Sequence, residues 1–178
     1  MRKYELTEET KTIADGTVLH RIRALMDISR YGVKSGDLGG WIEKYDNLSQ
    51  DGNAWVFGNA WVYGNAKVYG NAKVYGNALV SGDAWVFGNA LVYGNALVSG
   101  DADYITFKNS WSSGRWFTYT RSNKKWKVGC FYGTGEELIK KAYADSELSG
   151  KCYEAIVRAV ETIEAAKAEA KGETNGSK

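Results

Sequence analysis

Few residues of this 178-residue chain have the type and spacing that catalysis needs. Its one histidine, His20, stands in a strand-like segment, where a lone His is more typical of a structural position than of a general base. Asp83 and Asp101 could form a pair of carboxylates for acid–base chemistry, but both occupy a turn position where the neighbouring repeats have Asn. A zinc site needs three protein ligands, and the two cysteines, Cys130 and Cys152, form no ligand cluster. We therefore predict a protein that is not an enzyme, with no catalytic residue, no metal and no cofactor.

A basic, aromatic segment is the better candidate for ligand chemistry. Residues 106–135 contain six Lys and Arg side chains and no acid. Their alternation predicts a hairpin with a turn near Ser122 and Asn123, and cations interleaved with aromatic rings suit phosphates and stacked bases. The alternative is a hairpin whose rings pack on the rest of the protein while its cations stay solvated. The predicted anion-binding residues, placed side by side on the hairpin, are Arg115, Tyr119, Arg121, Lys125 and Lys127.

The element that must position these side chains is a repeat. Between Gly52 and Ile105 a six-residue unit such as GNAWVF occurs nine times without insertion, and so strict a period predicts a solenoid. Within each unit Ala and Val share the inward strand face, and Gly with Asn or Asp forms the corner. The units resemble the hexapeptide repeat of the left-handed parallel β-helix, a triangular prism with three hexads per coil. Nine hexads then give about three coils, or about 14 Å of prism.

The outward positions of the repeat are rich in aromatic and Leu side chains, which predicts that another surface covers them. Trp and Tyr dominate binding hot spots, so part of this wall is a candidate protein-binding surface. The flattest part is the candidate for self-association into a trimer or dimer. The predicted partner-binding residues are Trp55, Phe57, Trp61, Tyr63, Lys67, Lys73, Tyr75, Trp85 and Phe87. The predicted self-association residues are Leu79, Ser81, Leu97 and Ser99.

The sequence predicts a mainly β protein with four segments. Residues 1–51 form N-terminal strands and a cap, residues 52–105 the β-helix, residues 106–171 the hairpin with two helices, and residues 172–178 a disordered tail. The first helix is expected to start at Thr134, where Thr-Gly-Glu-Glu makes a capping box. The chain has no apolar stretch that could span a membrane, no signal peptide and no disulfide framework, so we expect a cytoplasmic protein.

A resemblance extends beyond the repeats. KYELTEETK, DLGGWIEKYDNLS before the hexads and GCFYGTGEEL after them resemble a family of small phage and prophage proteins with a variable number of hexads. The most specific stretch runs from Gly36 to Lys44. The resemblance implies a phage origin and a host bacterial cytoplasm, and it supplies no catalytic residues, because the family has no established activity. This chain departs from the family's Arg-rich outer positions by using Trp, Lys and Leu.

These observations favour a non-catalytic, phage-encoded binding protein that inhibits a bacterial anti-phage defence system by blocking a host protein. The alternative is a nucleotide or nucleic-acid binding protein that acts through the basic hairpin. A further alternative is an acyltransferase, since enzymes of similar fold exist; those enzymes need a His base and a loop extruded from the coils, and the hexads here are uninterrupted. The last is a structural component of the virion.

Overall fold

The structure is a computed structural model that describes residues 2–175, with side chains described as far as residue 170. Its elements are β1 (Tyr4–Thr12), β2 (Val18–Ala24), β3 (Leu38–Ile42), β4 (Trp55–Val56), β5 (Trp61–Val62), β6 (Lys67–Val68), β7 (Lys73–Val74), β8 (Leu79–Val80), β9 (Trp85–Val86), β10 (Leu91–Val92), β11 (Leu97–Val98), β12 (Tyr104–Lys108), β13 (Trp116–Thr120), β14 (Lys125–Val128), β15 (Phe131–Gly133), α1 (Gly135–Asp145) and α2 (Glu147–Asn175). The chain divides into two compact units after Cys130.

The hexads form the predicted β-helix of about three coils. Each hexad supplies one two-residue strand, and strands 18 residues apart pair in parallel. Three sheets result, and they are called here the first face (β4, β7, β10), the second face (β5, β8, β11) and the third face (β6, β9). One coil is therefore three hexads, as the 18-residue period predicts.

The interior of the β-helix consists of small and branched side chains in strict alternation. Every inward Ala and Val from Ala54 to Val98 is completely buried. The corners depend on glycine: Gly76 has a φ of 76°, and a Cβ there would lie 3.0 Å from the backbone nitrogen of Gly94 in the next coil. Side-chain amides also stack between coils, since Asn53 Nδ2 donates to Asn71 Oδ1 at 2.8 Å. These contacts explain why the unit repeats so faithfully.

The backbone hydrogen bonds give the β-helix a direction. The N–H of Trp55 donates to the carbonyl of Ala72 (3.1 Å), and the N–H of Trp61 donates to that of Ala78 (2.9 Å). At these positions, on either side of the central residue of each strand, the amide hydrogen points toward the following coil and the accepting carbonyl toward the preceding one; the central residue bonds in the opposite direction, as alternate residues of a parallel ladder do. At these positions the first coil presents acceptors, several of which bond to backbone amides of the N-terminal cap, and the last strands present donors, so the two ends need different partners.

The N-terminal segment closes the acceptor end. β1, β2 and β3 form an antiparallel sheet, and β3 pairs in parallel with β5, so the second face continues into the cap. A Cβ on Gly40 would lie 2.6 Å from Val56 Cγ1, and one on Gly39 would lie 2.5 Å from Ile22 Cγ1. Close packing therefore explains the glycine pair in the sequence DLGGWIEK.

The predicted hairpin is present as β13 and β14, and β12 adds a third antiparallel strand. The hairpin belongs to the same compact unit as the β-helix, whereas the sequence grouped it with the two helices. The hairpin belongs to this unit because it bonds directly to the last coil. The backbone N–H groups of Leu91 and Leu97 donate to Thr118 Oγ1 (3.0 Å) and Ser122 Oγ (2.8 Å).

The second unit contains β15 and two helices. The predicted capping box is present, because Glu137 N–H donates to Thr134 Oγ1 and Thr134 N–H donates to Glu137 Oε2 (2.7 Å). The predicted tail, residues 172–178, overlaps the last residues of α2, which extends through Asn175 in a run rich in Ala, Glu and Lys. Residues 176–178 lie outside the described residues. Within the described part, no helix is both long and apolar enough to cross a membrane.

Candidate functional site

The third face is the most exposed part of the outer wall. The side chains of Trp85 and Phe87 are 46% and 48% exposed. The Tyr69 ring stacks on Phe87, with centroids 5.3 Å apart, and meets Trp85 edge-on at 6.2 Å. Lys67 Nζ lies 5.5 Å from the centroid of the Trp85 ring. Three rings and one cation thus form a continuous surface patch.

Charged and amide side chains border this patch. A groove of about 350 Å³ runs along one side of the third face, and its walls include Lys44, Asp46, Asn65 and Asp83. An aromatic centre with a polar rim is typical of protein–protein interfaces. Two of the predicted partner-binding residues, Trp85 and Phe87, lie at that centre, and Lys67 lies beside them.

The first face is largely covered, and one predicted contact residue is unavailable there. Trp55 is completely buried and packs edge-on against Tyr4 at 6.1 Å, so its assignment to a partner-binding surface is wrong. The hexad pattern shows that Trp55 points outward and carries no sign that β1 covers it. Phe57 is partly buried and packs edge-on against Tyr31 at 6.2 Å.

Two lysines lie among the rings of the first face. Lys73 Nζ is 4.6 Å from the Tyr31 centroid, 4.9 Å from Phe57 and 5.2 Å from Tyr75. Lys127 Nζ lies 5.9 Å from the Tyr75 centroid. Burial lowers the pKa of Lys73. Burial also lowers the pKa of Lys127 and the Lys73 charge lowers it further, while Cys130 opposes this.

The predicted arrangement of the hairpin side chains is wrong. Thr118 pairs with Lys127 and Thr120 with Lys125, so both lysines share a face with the threonines. Tyr119 instead pairs with Trp126 on the opposite face, where it is buried at a ring distance of 5.1 Å. Because side chains alternate across a strand, Tyr119 cannot lie on the same face of the hairpin as Lys125 and Lys127.

The remaining predicted anion-binding residues are separated as well. Arg115 is exposed just before β13 and Arg121 is partly buried just after it, at opposite ends of the strand. Arg115 instead lines a small cavity of about 140 Å³ together with Arg30. Sequence reasoning missed Arg30, because only the folded N-terminal cap brings it to the hairpin.

The second face contains the predicted self-association residues. Leu97 is 51% exposed and Ser99 is exposed, while Leu79 and Ser81 are partly exposed. Trp61 is partly covered by Lys11, whose Nζ lies 5.1 Å from its centroid, and Tyr63 is partly buried. Self-association through this face stays a prediction.

The residues considered for catalysis take structural hydrogen bonds. His20 Nδ1 lies 3.3 Å from the carbonyl oxygen of Thr7. Asp83 Oδ1 accepts from Asn65 Nδ2 (3.1 Å), and Asp101 Oδ1 accepts from the backbone of Trp85 (2.7 Å). Within residues 2–170, no group of three His, Cys, Asp or Glu side chains could hold a metal ion.

Sequence reasoning also missed the side chains that satisfy the two ends of the β-helix. Lys3 Nζ donates to the carbonyl of Ala54 (2.9 Å) and Tyr4 Oη to that of Leu48 (2.6 Å). At the other end Asp101, Thr118 and Ser122 accept from the last strand of each face, β9, β10 and β11. The available signal is the direction of the backbone hydrogen bonds at the outer positions of each strand, which favours side-chain donors before the repeats and acceptors after them.

Comparison with known proteins supports a β-solenoid repeat. The family described as YdcK Beta solenoid repeat matches residues 72–88, which lie within the hexads. A protein of Escherichia coli (strain K12) named uncharacterized acetyltransferase YdcK is 39% identical over 64 residues. That similarity covers 32% of this chain and 19% of the relative, so the chain spans about a fifth of the length of the curated relative that it matches.

Proposed function

We propose that this protein acts by binding another protein, and that the third face is its contact surface. The observation that carries the proposal is the exposure of Trp85 and Phe87, at 46% and 48%. Outward rings on the first face are shielded by other parts of the chain, whereas these two lie open next to Lys67 and Tyr69. Large aromatic side chains bury much area at little cost in side-chain entropy, which suits a binding hot spot.

The specific form of the proposal is a phage-encoded inhibitor of a bacterial anti-phage defence system. The resemblance of the segments flanking the hexads to small phage and prophage proteins supports the origin. A rigid β-helix also suits inhibition by blockade, since its contact surface needs no ordering before it binds. The partner would be a host protein with a pocket for the Trp85 and Phe87 rings.

Capture from bacterial lysate tests the contact surface. We expect the wild type to retain a host protein at physiological salt and a Trp85→Ser/Phe87→Ser variant to lose it. A Leu148→Ser/Ile163→Ser variant is the matched control, because it removes two exposed apolar side chains, 60% and 43% exposed, from α2. Equal retention by both double variants would contradict the assignment of the third face.

Infection assays test the biological part. Expression of the wild type in a bacterium with an active defence system should increase the number of phage plaques, and the Trp85→Ser/Phe87→Ser variant should not increase it. Equal plaque numbers with and without the wild type, across hosts with different defence systems, would contradict a role in counter-defence. The capture result would still decide whether the third face binds a protein.

A second candidate function is acyl transfer, and the name of the Escherichia coli relative favours it. His20 is the chain's one histidine and hence its candidate base. An assay with acetyl-CoA and a panel of amine and hydroxyl acceptors tests this. Turnover that is lost in His20→Ala would establish acyl transfer and contradict the binding-only proposal; turnover no faster than in buffer is the result that we expect.

A further inference from the structure

A small cavity on the first face brings together two arginines from distant parts of the sequence. Its volume is about 140 Å³, and Arg30, Tyr31, Asn89, Arg115 and Trp116 are among the residues that line it. Arg30 and Tyr31 come from the N-terminal cap, and Arg115 and Trp116 from the start of the hairpin. The β-helix between them supplies Asn89 at a corner, so three parts of one compact unit build the cavity.

The two arginines are held by neutral groups. Arg30 Nη2 donates to Asn89 Oδ1 at 2.9 Å. The side chain of Arg115 lies over Gly129, where a Cβ would be only 3.2 Å from Arg115 Cδ. The residues lining the cavity include no carboxylate, and neither arginine forms an ion pair with the described residues. Two guanidinium groups without counter-charges favour an anion between them.

Two further cations extend the positive surface along the first face. Lys73 Nζ lies 4.6 Å from the centroid of the Tyr31 ring, and both Lys73 and Lys127 lie near the Tyr75 ring. Neither lysine is paired with a carboxylate among the described residues, and burial lowers the pKa of both. An anion bound nearby would offset the free-energy cost of keeping four positive charges together.

The aromatic lining adds a second kind of recognition. Tyr31 and Trp116 border the cavity, and planar rings of a ligand stack favourably on such side chains and on guanidinium planes. We propose that this cavity binds the phosphate group of a nucleoside monophosphate between Arg30 and Arg115, with the base stacked on an aromatic side chain at its rim. The described residues that line this cavity do not include Trp85 or Phe87, so variants of the two sites can be tested independently.

Calorimetric titration with adenosine 5′-monophosphate at physiological salt tests the proposal, with inorganic phosphate and adenosine as partial ligands. We expect the nucleotide to bind at least tenfold more tightly than either partial ligand. An Arg30→Gln/Arg115→Gln variant should weaken nucleotide binding at least tenfold. An Arg2→Gln/Lys124→Gln variant removes the same charge from exposed positions and should leave the affinity within about twofold.

Each other result would overturn the proposal. Absence of nucleotide binding at millimolar concentration would contradict the proposed nucleotide site. Adenosine that binds as tightly as the nucleotide contradicts the role of the arginines, and phosphate that binds as tightly contradicts the stacking. An equal loss of affinity in the two double variants shows attraction by overall charge. Circular dichroism of each variant establishes that the β-helix is intact, and loss of the site would leave the capture experiment on Trp85 and Phe87 unaffected.

Discussion

Lys3 shows how the end of the β-helix determines the hydrogen bonds and the pKa of a single residue. Its side chain is only 2% exposed, and its ammonium group donates to the carbonyls of Asp51 (3.4 Å) and Ala54 (2.9 Å). Burial lowers the pKa of Lys3 to about 8, with a smaller opposing effect of the Asp51 charge. A charged lysine is tolerated there because the first coil has carbonyls that no preceding coil satisfies.

The lowered pKa of Lys3 predicts a pH dependence of stability. Above pH 8 the folded protein releases a proton that the unfolded chain holds until about pH 10.5, so the free energy of unfolding should increase with pH in this window, by at most about 1.4 kcal/mol per pH unit. Burial raises the pKa of Tyr4 above 10.0, which reverses the trend beyond pH 10. Urea denaturation at several pH values measures this increase, which should be smaller in Lys3→Met; part of it remains there because burial also lowers the pKa of Lys73 and Lys127. An equal increase in the variant would contradict the assignment.

Asn47 replaces backbone hydrogen bonds in the first coil. It is completely buried; its Oδ1 accepts from Lys44 N–H, and its Nδ2 donates to the carbonyls of Gly64 and Ala66. We predict that Asn47→Ala lowers the free energy of unfolding by about 2–3 kcal/mol, because three backbone groups, one buried and two partly buried, lose a hydrogen bond. In the control, Asn77→Ala, only a long exposed bond to Asn95 (3.5 Å) is lost, so the change should stay below about 0.5 kcal/mol. Chemical denaturation measures both variants, and a similar decrease in their free energies of unfolding would refute this role of Asn47.

At the scale of elements, the hairpin is a lid on the donor end of the β-helix. Thr118 is almost fully buried, and its hydroxyl accepts from Leu91 N–H of β10. Thr118→Val keeps the shape of the side chain and removes the acceptor. We predict that this substitution lowers the free energy of unfolding by about 1–3 kcal/mol and makes hydrogen exchange at the Leu91 amide faster.

Thr106→Val is the control for this prediction, since Thr106 pairs with Thr118 in the same sheet and its side chain forms no hydrogen bond to the coils among the described residues. It should leave the Leu91 exchange rate near that of the wild type. If Thr118→Val did the same, the hairpin would close the coils by packing alone.

The sequence predicts those elements whose signals are local. The 18-residue period predicts the three faces, and Thr134 with Glu137 predicts the start of α1, because both patterns depend on neighbours in one element. The burial of Trp55, and the cavity that Arg30 and Arg115 both line, depend on contacts between segments that are distant in the chain. The hairpin faces were predicted incorrectly because a one-residue difference in register moves every side chain to the other face.

At the scale of the whole molecule, the second face predicts self-association. Leu97 lies on the last strand of its sheet and is 51% exposed. We predict that the wild type is a dimer or trimer in solution and that Leu97→Asp shifts it to a monomer, because a carboxylate would be buried in the interface. Sedimentation velocity or light scattering gives the mass.

Leu148→Asp is the control for self-association, because Leu148 is 60% exposed and belongs to α2 of the second compact unit. It should leave the mass unchanged. A wild type that is monomeric at all concentrations would contradict the prediction outright.

The exact stacking of three hexads per coil has a consequence for how the chain can change in length. Arg30 and Tyr31 precede the repeats, Arg115 and Trp116 follow them, and the four residues meet at one cavity. Adding or removing one hexad would turn everything after it by a third of a coil and carry the hairpin away from the cap. A whole coil of 18 residues would keep the direction and change only the separation. The cavity therefore depends on the number of hexads between the cap and the hairpin. An insertion that preserves the fold can still abolish the site, because it moves these two segments relative to each other.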